Sequence, residues 1–292
     1  MKPSLVKIAL AALLAGCASE PMPQAMSAAP MVRAMPADAP RVAGKTEVLW
    51  LGQAATRITT PGGKVIMVDP WLTTNPKTPQ AFKKLEALGK VDLILVTHAH
   101  SDHFGDSAAL AKMHNAPLYN GGGLGQTVVA LGVLPAALMQ RFGKSGTITP
   151  LGMDGPKITA VHAEHASEFV WRNTATNKDE AHYGGEPVGY IIEMENGFKV
   201  WHMGDTGVFG DMRLVADMYK PDLVLAPIGG YSTMGPNEAA MAIRDMVRPR
   251  YVLPIHYLTL PQLSGTPAQF KAALGNSPVV MLVADPGQKV QF

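Results

Sequence analysis

The chain of 292 residues is 47% hydrophobic and 16% charged, and its formal net charge is +2. This composition supplies enough apolar material for a globular core, and so small a charge excludes the basic surface expected of a nucleic-acid-binding protein. The only cysteine is Cys17, so an intrachain disulfide is excluded, as is a thiolate ligand further along the chain.

The first 17 residues have the features of a secretory signal. Lys2 and Lys7 precede an apolar run, 8–14, which is too short to span a bilayer. The tetrad Leu-Ala-Gly-Cys at 14–17 resembles the lipobox of bacterial lipoproteins, in which the cysteine is lipidated and becomes the amino terminus. The resemblance implies a lipid anchor on Cys17 and a location in the bacterial cell envelope, on the outer membrane facing the periplasm. An ordinary signal peptide and a buried helix with an incidental cysteine are the alternatives.

Residues 18–44 are rich in proline and alanine and almost without charge, which favours an extended tether over a helix or strand. The folded domain is predicted over 45–292. No repeat of 20–50 residues is visible in it, and no second apolar run is long enough to cross a membrane.

Three closely linked strands are predicted at the start of the domain, over 46–51, 55–60 and 64–68. The turn signal Pro61-Gly62-Gly63 separates the last two, and connections this short indicate an antiparallel meander.

The rest of the domain alternates helices with strands. The turn dipeptide Asn196-Gly197 predicts a hairpin of strands at 187–195 and 198–203, and the polar segment 168–185 is predicted to be irregular. The remaining predicted helices cover 79–88, 107–114, 125–131, 209–219, 238–247 and 267–274, and the remaining strands cover 91–96, 147–149, 157–163, 223–227, 251–254, 279–283 and 289–291. This order indicates an α/β fold in which one sheet packs on another with helices outside.

Three histidines and an aspartate follow the buried strand at 91–96. Because residues i and i+2 of an extended chain point to the same side, His98 and His100 can direct two imidazoles at one ion. Asp102 and His103 come after the chain turns, so they can direct their side chains at a second point nearby. Imidazole and carboxylate suit zinc, iron or manganese. The alternative is a solvated loop in which Asp102 caps a helix.

Further ligand candidates stand at or just after the ends of strands, namely His165, Asp205 and His256. The carboxylate of Asp205, in a Gly-Asp-Thr turn, has two oxygens that can bridge ions about 3.5–4 Å apart. Asp69 ends the third strand and could orient a ligand histidine by a hydrogen bond. A structural hydrogen bond is the alternative in each case. Structural or surface positions are expected for the other histidines, His114, His162, His182 and His202.

These residues resemble the signature of the metallo-β-lactamase superfamily, with His-x-His-x-Asp-His at 98–103 and a final Pro-Ile-His-Tyr at 254–257. The segments 50–54, 163–167 and 227–236 resemble one branch more closely. That branch contains metal-dependent hydrolases related to ascorbate-6-phosphate lactonase and to the phospholipase D that cleaves N-acyl ethanolamine phospholipids.

The resemblance implies a four-layer αββα sandwich with two metal ions at one edge. It assigns His98, His100 and His165 to one ion, Asp102, His103 and His256 to the other, and Asp205 to a bridging position. Many relatives have histidine where this chain has Gln53, so the role of that position stays open.

The expected activity is that of a dinuclear hydrolase. Two ions, with Zn²⁺ expected and Mn²⁺ or Fe as alternatives, would share a hydroxide that attacks an ester, lactone or phosphodiester bond. Asp102 and Asp205 are the predicted catalytic carboxylates. The alternative function is a non-catalytic, metal-binding envelope lipoprotein on the same fold.

The expected partners are a small-molecule or lipid substrate and, through the lipid anchor, a membrane; no nucleic acid is expected. The segment 168–185, which contains Phe169, Trp171 and Tyr183, is expected to shape the substrate pocket.

Overall fold

Two seven-stranded β-sheets pack face to face in the computed structural model, which describes residues 43–292. The predictions for the secretory signal, for Cys17 and for nearly all of the 18–44 tether lie outside the described residues. Within the described part, no helix is both long and apolar enough to cross a bilayer.

The strands of this part are short, mostly of four to six residues. In chain order they are β1 (Glu47–Trp50), β2 (Thr56–Thr59), β3 (Val65–Val68), β4 (Leu93–Val96), β5 (Leu118–Gly121), β6 (Met139–Phe142), β7 (Thr147–Ile148), β8 (Lys157–His162), β9 (Glu168–Asn173), β10 (Lys178–Tyr183), β11 (Val188–Glu193), β12 (Lys199–His202), β13 (Leu223–Pro227), β14 (Tyr251–Ile255), β15 (Val280–Met281) and β16 (Lys289–Gln291).

The α-helices are also short. They are α1 (Ser101–Phe104), α2 (Ser107–His114), α3 (Leu124–Ala130), α4 (Met212–Tyr219), α5 (Pro236–Met241) and α6 (Pro267–Leu274). Two 3-10 turns cover Gln80–Phe82 and Leu85–Leu88, and a π-helical turn, Ala242–Val247, continues α5. At α6, Thr266 and Gln269 form a reciprocal capping box, which explains why this helix begins where the sequence predicts.

The first sheet has the order β16-β1-β2-β3-β4-β5-β6. Strands β1 to β3 form the predicted antiparallel meander, and β3 to β6 run parallel to one another. A parallel strand that is covered on both faces is apolar throughout, and all four residues of β4 are buried.

The second sheet has the order β15-β14-β13-β12-β11-β8-β7. Strands β11 and β12 form the predicted hairpin, with Gly197 at φ +83° in its turn. Both β8 and β12 run antiparallel to β11, while β12 to β15 run parallel. The chain therefore leaves β8, β12 and β14 at the same edge of this sheet.

Three apolar clusters define the layers. The middle cluster joins the inner faces of the sheets, with Trp50 and Leu95 from the first sheet and Tyr190 and Leu253 from the second. A second cluster packs the outer face of the first sheet against α2 and α3, and a third packs the outer face of the second sheet against α4, α5 and α6. The predicted four-layer αββα sandwich is confirmed.

The helix predicted over 79–88 is wrong. Lys84 is extended, with ψ 112°, and separates the two 3-10 turns. Leu85 and Leu88 lie on one face of a helix with three residues per turn, and both are buried against the first sheet.

The irregular segment predicted over 168–185 is also wrong, because β9 and β10 form an antiparallel hairpin of six paired positions. Strands β5 and β6 were not predicted. The β5 segment, Leu118–Gly121, contains asparagine and glycine, which disfavour strands, and parallel pairing beside the buried β4 overrides that local preference.

Candidate metal centre

The histidine-rich loop lies at the carboxyl end of β4. Helix α1 begins at Ser101, so His98 and His100 precede the helix while Asp102 and His103 lie within it. His98 Nε2 and His100 Nδ1 are 3.0 Å apart, so two imidazoles converge on one point. The ring of His103 lies 4.0 Å from the ring of His98, measured between centroids. The short helix therefore keeps its two candidate ligands next to the first pair.

Three later segments bring their side chains to the same edge. His165 follows β8, Asp205 follows β12 and His256 follows β14, and ligand sites of α/β proteins typically lie at such carboxyl ends of strands. Gly204, at φ +63°, lies so close to the end of β4 that an added Cβ would be 2.8 Å from Thr97 Cβ. This close approach places Asp205 beside the histidine-rich loop.

Asp205 lies between two groups of histidines. Its Oδ1 is 3.0 Å from His256 Nε2 and 3.2 Å from His103 Nε2, and its Oδ2 is 3.5 Å from His165 Nε2. The buried atoms His103 Nε2, His165 Nε2 and Asp205 Oδ1 have no hydrogen-bond partner. Because buried polar atoms are nearly always paired, this set of facing donor atoms fits a bound cation.

The candidate ligand atoms form three overlapping groups, in each of which all atoms lie within 4.8 Å of one another. The groups are His98-His100-His165, His98-His103-Asp205 and Asp102-His103-His256. The first and third are the ligand sets that the family resemblance implies, and the second connects them. The structure thus brings all seven predicted ligands together.

Asp69 orients the candidate ligand His103. Its Oδ2 accepts hydrogen bonds from His103 Nδ1 at 2.8 Å and from Thr97 Oγ1 at 2.7 Å, and its Oδ1 accepts one from Thr97 N at 2.7 Å. With its Nδ1 protonated, His103 keeps the lone pair on Nε2 free to bind an ion. The orienting role considered for Asp69 in the sequence therefore agrees with its contacts.

Glu168, the first residue of β9, plays the same part for His100. Its Oε2 lies 3.0 Å from His100 Nε2, which leaves Nδ1 as the nitrogen that faces His98. The sequence analysis did not identify Glu168, because this residue is the first of a polar segment that was predicted to be irregular. The only sequence feature that could have indicated its role is its position three residues after the candidate ligand His165.

Burial and opposite charges shift the pKa values of the centre. Burial lowers the pKa of His98 well below its usual value, and the charge of His103 adds to this effect. Burial alone would lower the pKa of His256, but Asp205 and Asp102 raise it to about 9. Burial opposes the ionisation of Asp205, yet His256 and His103 hold its pKa well below the usual range. A cation that binds here must therefore displace protons.

A cavity of about 280 Å³ opens beside the centre. Asp102 and His256 reach its wall, and Trp71, Tyr231 and Leu260 form part of the remainder. Among the described residues, no lysine or arginine lines this cavity.

The hairpin of β9 and β10 does not line the cavity, contrary to the prediction for 168–185. Phe169 is buried against Phe104, with ring centroids 5.1 Å apart. Trp171 lines a separate cavity and Tyr183 is exposed to solvent. The hairpin instead reaches the centre through the contact of Glu168 with His100.

His202 has the expected structural role. Its buried ring donates a hydrogen bond from Nε2 to Ala54 O at 2.9 Å, and its Nδ1 accepts one from Gly204 N at 3.2 Å. His162 is exposed and lies beside Glu164.

Comparisons with known proteins agree with this fold. A family model described as a beta-lactamase superfamily domain matches residues 64–257. A UPF0173 metal-dependent hydrolase from Cupriavidus necator is 70% identical over 282 residues, which are 96% of each chain. A second, from Cupriavidus taiwanensis, is 66% identical over 284 residues, 97% of each chain. The solved structure of a metallo hydrolase from Ignicoccus hospitalis has a TM-score of 0.71 at 28% identity, covering 85% of this chain and 98% of the archaeal one.

The chain therefore belongs to the metallo-β-lactamase superfamily and, within it, to the UPF0173 metal-dependent hydrolases. It is a metal-dependent hydrolase, so the predicted family and enzyme class are confirmed. The alternative of a non-catalytic metal-binding protein is wrong.

Proposed function

We propose that this hydrolase uses two divalent ions to cleave a carboxylic ester or lactone bond. The supporting observation is the position of Asp205, whose Oδ1 faces His103 and His256 while its Oδ2 faces His165. A carboxylate in this position can bridge two ions about 3.5–4 Å apart. We expect Zn²⁺, with Mn²⁺ or Fe as alternatives, because the ligands are imidazoles and carboxylates.

Two bound ions would lower the pKa of a shared water and stabilise negative charge on the substrate carbonyl. Although burial opposes the ionisation of Asp102, His103 and His256 hold its pKa well below the usual range. The side chain of Asp102 is 23% exposed and lines the cavity, so this ionised carboxylate can bind an ion and hold a water molecule there by a hydrogen bond. Asp205 is buried and supplies negative charge between the two groups of histidines.

The cavity favours uncharged substrates. Its lining combines the apolar surfaces of Trp71, Tyr231 and Leu260 with the polar ends of Ser232 and Gln262. Lysine or arginine usually balances the charge of a bound phosphate group, and neither residue lines this cavity in the described chain, so the two ions alone would have to balance it. An ester or lactone needs no such partner, and we therefore place it ahead of a phosphodiester or phospholipid.

The test uses the purified protein loaded with Zn²⁺ or Mn²⁺. Metal analysis should give about two ions per chain. Nitrophenyl esters and lactones should be hydrolysed faster than bis-p-nitrophenyl phosphate or vesicles of phosphatidylethanolamine. Asp205→Asn should lose most of the ester activity, and Asp217→Asn, at an exposed position of α4, is the matched control. A single ion per chain, or faster turnover of the phosphodiester, would contradict the proposal.

We also propose that the protein is anchored to the outer membrane through a lipid on Cys17. The support is the tetrad at 14–17 behind an apolar run of signal-peptide length. Cys17→Ser should abolish incorporation of labelled palmitate and move the protein out of the membrane fraction. Labelling that persists in Cys17→Ser would contradict this location.

A further inference from the structure

Gln53 lies among the ligands without being one of those predicted. It is fully buried in the turn between β1 and β2, with φ +52°. Its carbonyl oxygen accepts hydrogen bonds from Trp50 Nε1 and from His256 N, both at 3.0 Å. A left-handed φ is unfavourable for a residue with a Cβ, and these two bonds hold the backbone in it. The side chain therefore leaves the turn in a fixed direction, towards the centre.

The amide of Gln53 lies between two ligand atoms. Its Nε2 is 2.7 Å from Asp102 Oδ2 and 2.7 Å from His256 Nε2. Its Oε1 is buried and has no hydrogen-bond partner. A buried amide oxygen without a partner is unfavourable, so contacts hold the present orientation of the amide only through its nitrogen.

We propose that Gln53 binds, through Oε1, the ion held by Asp102, His103 and His256; this inference rests on the two-ion centre proposed above. A half-turn about the last side-chain bond exchanges the nitrogen and oxygen of the amide and brings Oε1 close to the present position of Nε2. His256 Nε2 has a single lone pair, so it cannot bind an ion and also accept a hydrogen bond from the amide. An oxygen at that position has its own lone pairs and acts as a ligand instead.

The two halves of the centre then differ chemically. The half with Gln53 offers three oxygens and two nitrogens, whereas the half with His98 offers three nitrogens and one oxygen of Asp205. Amide and carboxylate oxygens favour harder ions such as Mn²⁺, and a four-coordinate set rich in imidazole favours Zn²⁺. We therefore expect the half with Gln53 to have the greater relative preference for Mn²⁺.

A crystal structure of the wild-type protein with Mn²⁺ tests the contact directly. We expect an ion on each side of Asp205, with Gln53 Oε1 within about 2.4 Å of the ion beside His256. Two ions with Oε1 more than about 3 Å from the nearer one would overturn this inference and leave the two-ion proposal standing. An absent ion beside His256 would overturn both.

Binding measurements on variants provide the second test. Gln53→Met keeps the length of the side chain and removes its oxygen, whereas Gln53→Glu retains an oxygen. In equilibrium dialysis, Gln53→Met should bind Mn²⁺ at one of the two sites at least about tenfold less tightly than wild type, and Gln53→Glu should bind Mn²⁺ at least as tightly as wild type. Gln140→Met, on β6, is the matched control and should not change binding.

Equal Mn²⁺ affinity of Gln53→Met and wild type would overturn the inference. Circular dichroism of the metal-free variants checks that each is folded. If Gln53→Met does not fold, the crystal structure of the wild-type protein decides the question.

Discussion

Asp69→Asn tests how the centre is held together. Oδ1 of Asp69 accepts a hydrogen bond from the backbone nitrogen of Thr97, so in the variant the side-chain oxygen must stay at that position. The new amide nitrogen then faces His103 Nδ1, which lies 2.8 Å from the present Oδ2. Because an amide nitrogen can only donate, His103 must accept at Nδ1 and carry its proton on Nε2, the atom that faces Asp205 and Asp102.

The change should weaken metal binding more than it weakens the fold. Loss of a hydrogen-bonded partner behind a ligand typically costs 10–100-fold in metal affinity, or about 1.4–2.8 kcal/mol. The asparagine still satisfies Thr97, so the free energy of unfolding of the metal-free protein should fall by only about 0.5–1.5 kcal/mol.

The assay is competition with a chromophoric chelator for Zn²⁺, together with denaturant unfolding of the metal-free protein. Asp92→Asn is the matched control, because Asp92 also accepts a backbone hydrogen bond, from Val65 N at 2.9 Å, but lies outside the centre. It should lose stability without losing metal affinity. Unchanged Zn²⁺ affinity in Asp69→Asn would refute this account of how His103 is oriented.

Three other features of the centre predict measurable effects. Glu168→Ala removes the exposed partner of His100 Nε2, so chelator competition should detect a loss of affinity of no more than about tenfold. Gly204→Ala would place a Cβ 2.8 Å from Thr97 Cβ at a left-handed φ, so denaturant unfolding should detect a loss of at least about 1–3 kcal/mol. Because nearby carboxylates raise the pKa of His256 to about 9, ions compete with its proton below that pH, and calorimetric affinity should rise at least about tenfold per pH unit from about pH 6 to 8.

A different result in any of these three assays would contradict a specific assumption about the centre. A hundredfold loss of affinity in Glu168→Ala would mean that the exposed carboxylate does more than orient His100. Wild-type stability of Gly204→Ala would mean that the chain can relax beside Thr97. Metal affinity that is constant with pH would mean that His256 is already unprotonated in the metal-free protein.

Much of the candidate centre is predictable from the sequence because its candidate ligands belong to recognisable local patterns. His98, Asp205 and His256 each follow an apolar strand, and the ligand sites of α/β proteins typically lie at such positions. No comparable local pattern distinguishes Glu168 or Gln53 from other polar residues. Their contacts with the ligands depend on how separate loops meet, which a linear pattern does not contain.

The secondary structure likewise contains elements that local sequence patterns predict and elements that they do not. Strong local patterns, such as the apolar β4 and the Asn196-Gly197 turn, predicted their elements correctly. Strand β5 and the hairpin of β9 and β10 were missed, because their stability comes from neighbouring strands and not from the preferences of their own residues.

By itself, the sequence determined which side chains can bind a metal and that most of them closely follow the ends of strands, since residue type and local periodicity are properties of short segments. Only the tertiary structure decided which of them meet. His165 and Asp205 are 40 positions apart, and they approach to 3.5 Å because β8 and β12 flank β11 and end at the same edge. That geometry arises from strand pairing and from the packing of two sheets, both of which are long-range interactions.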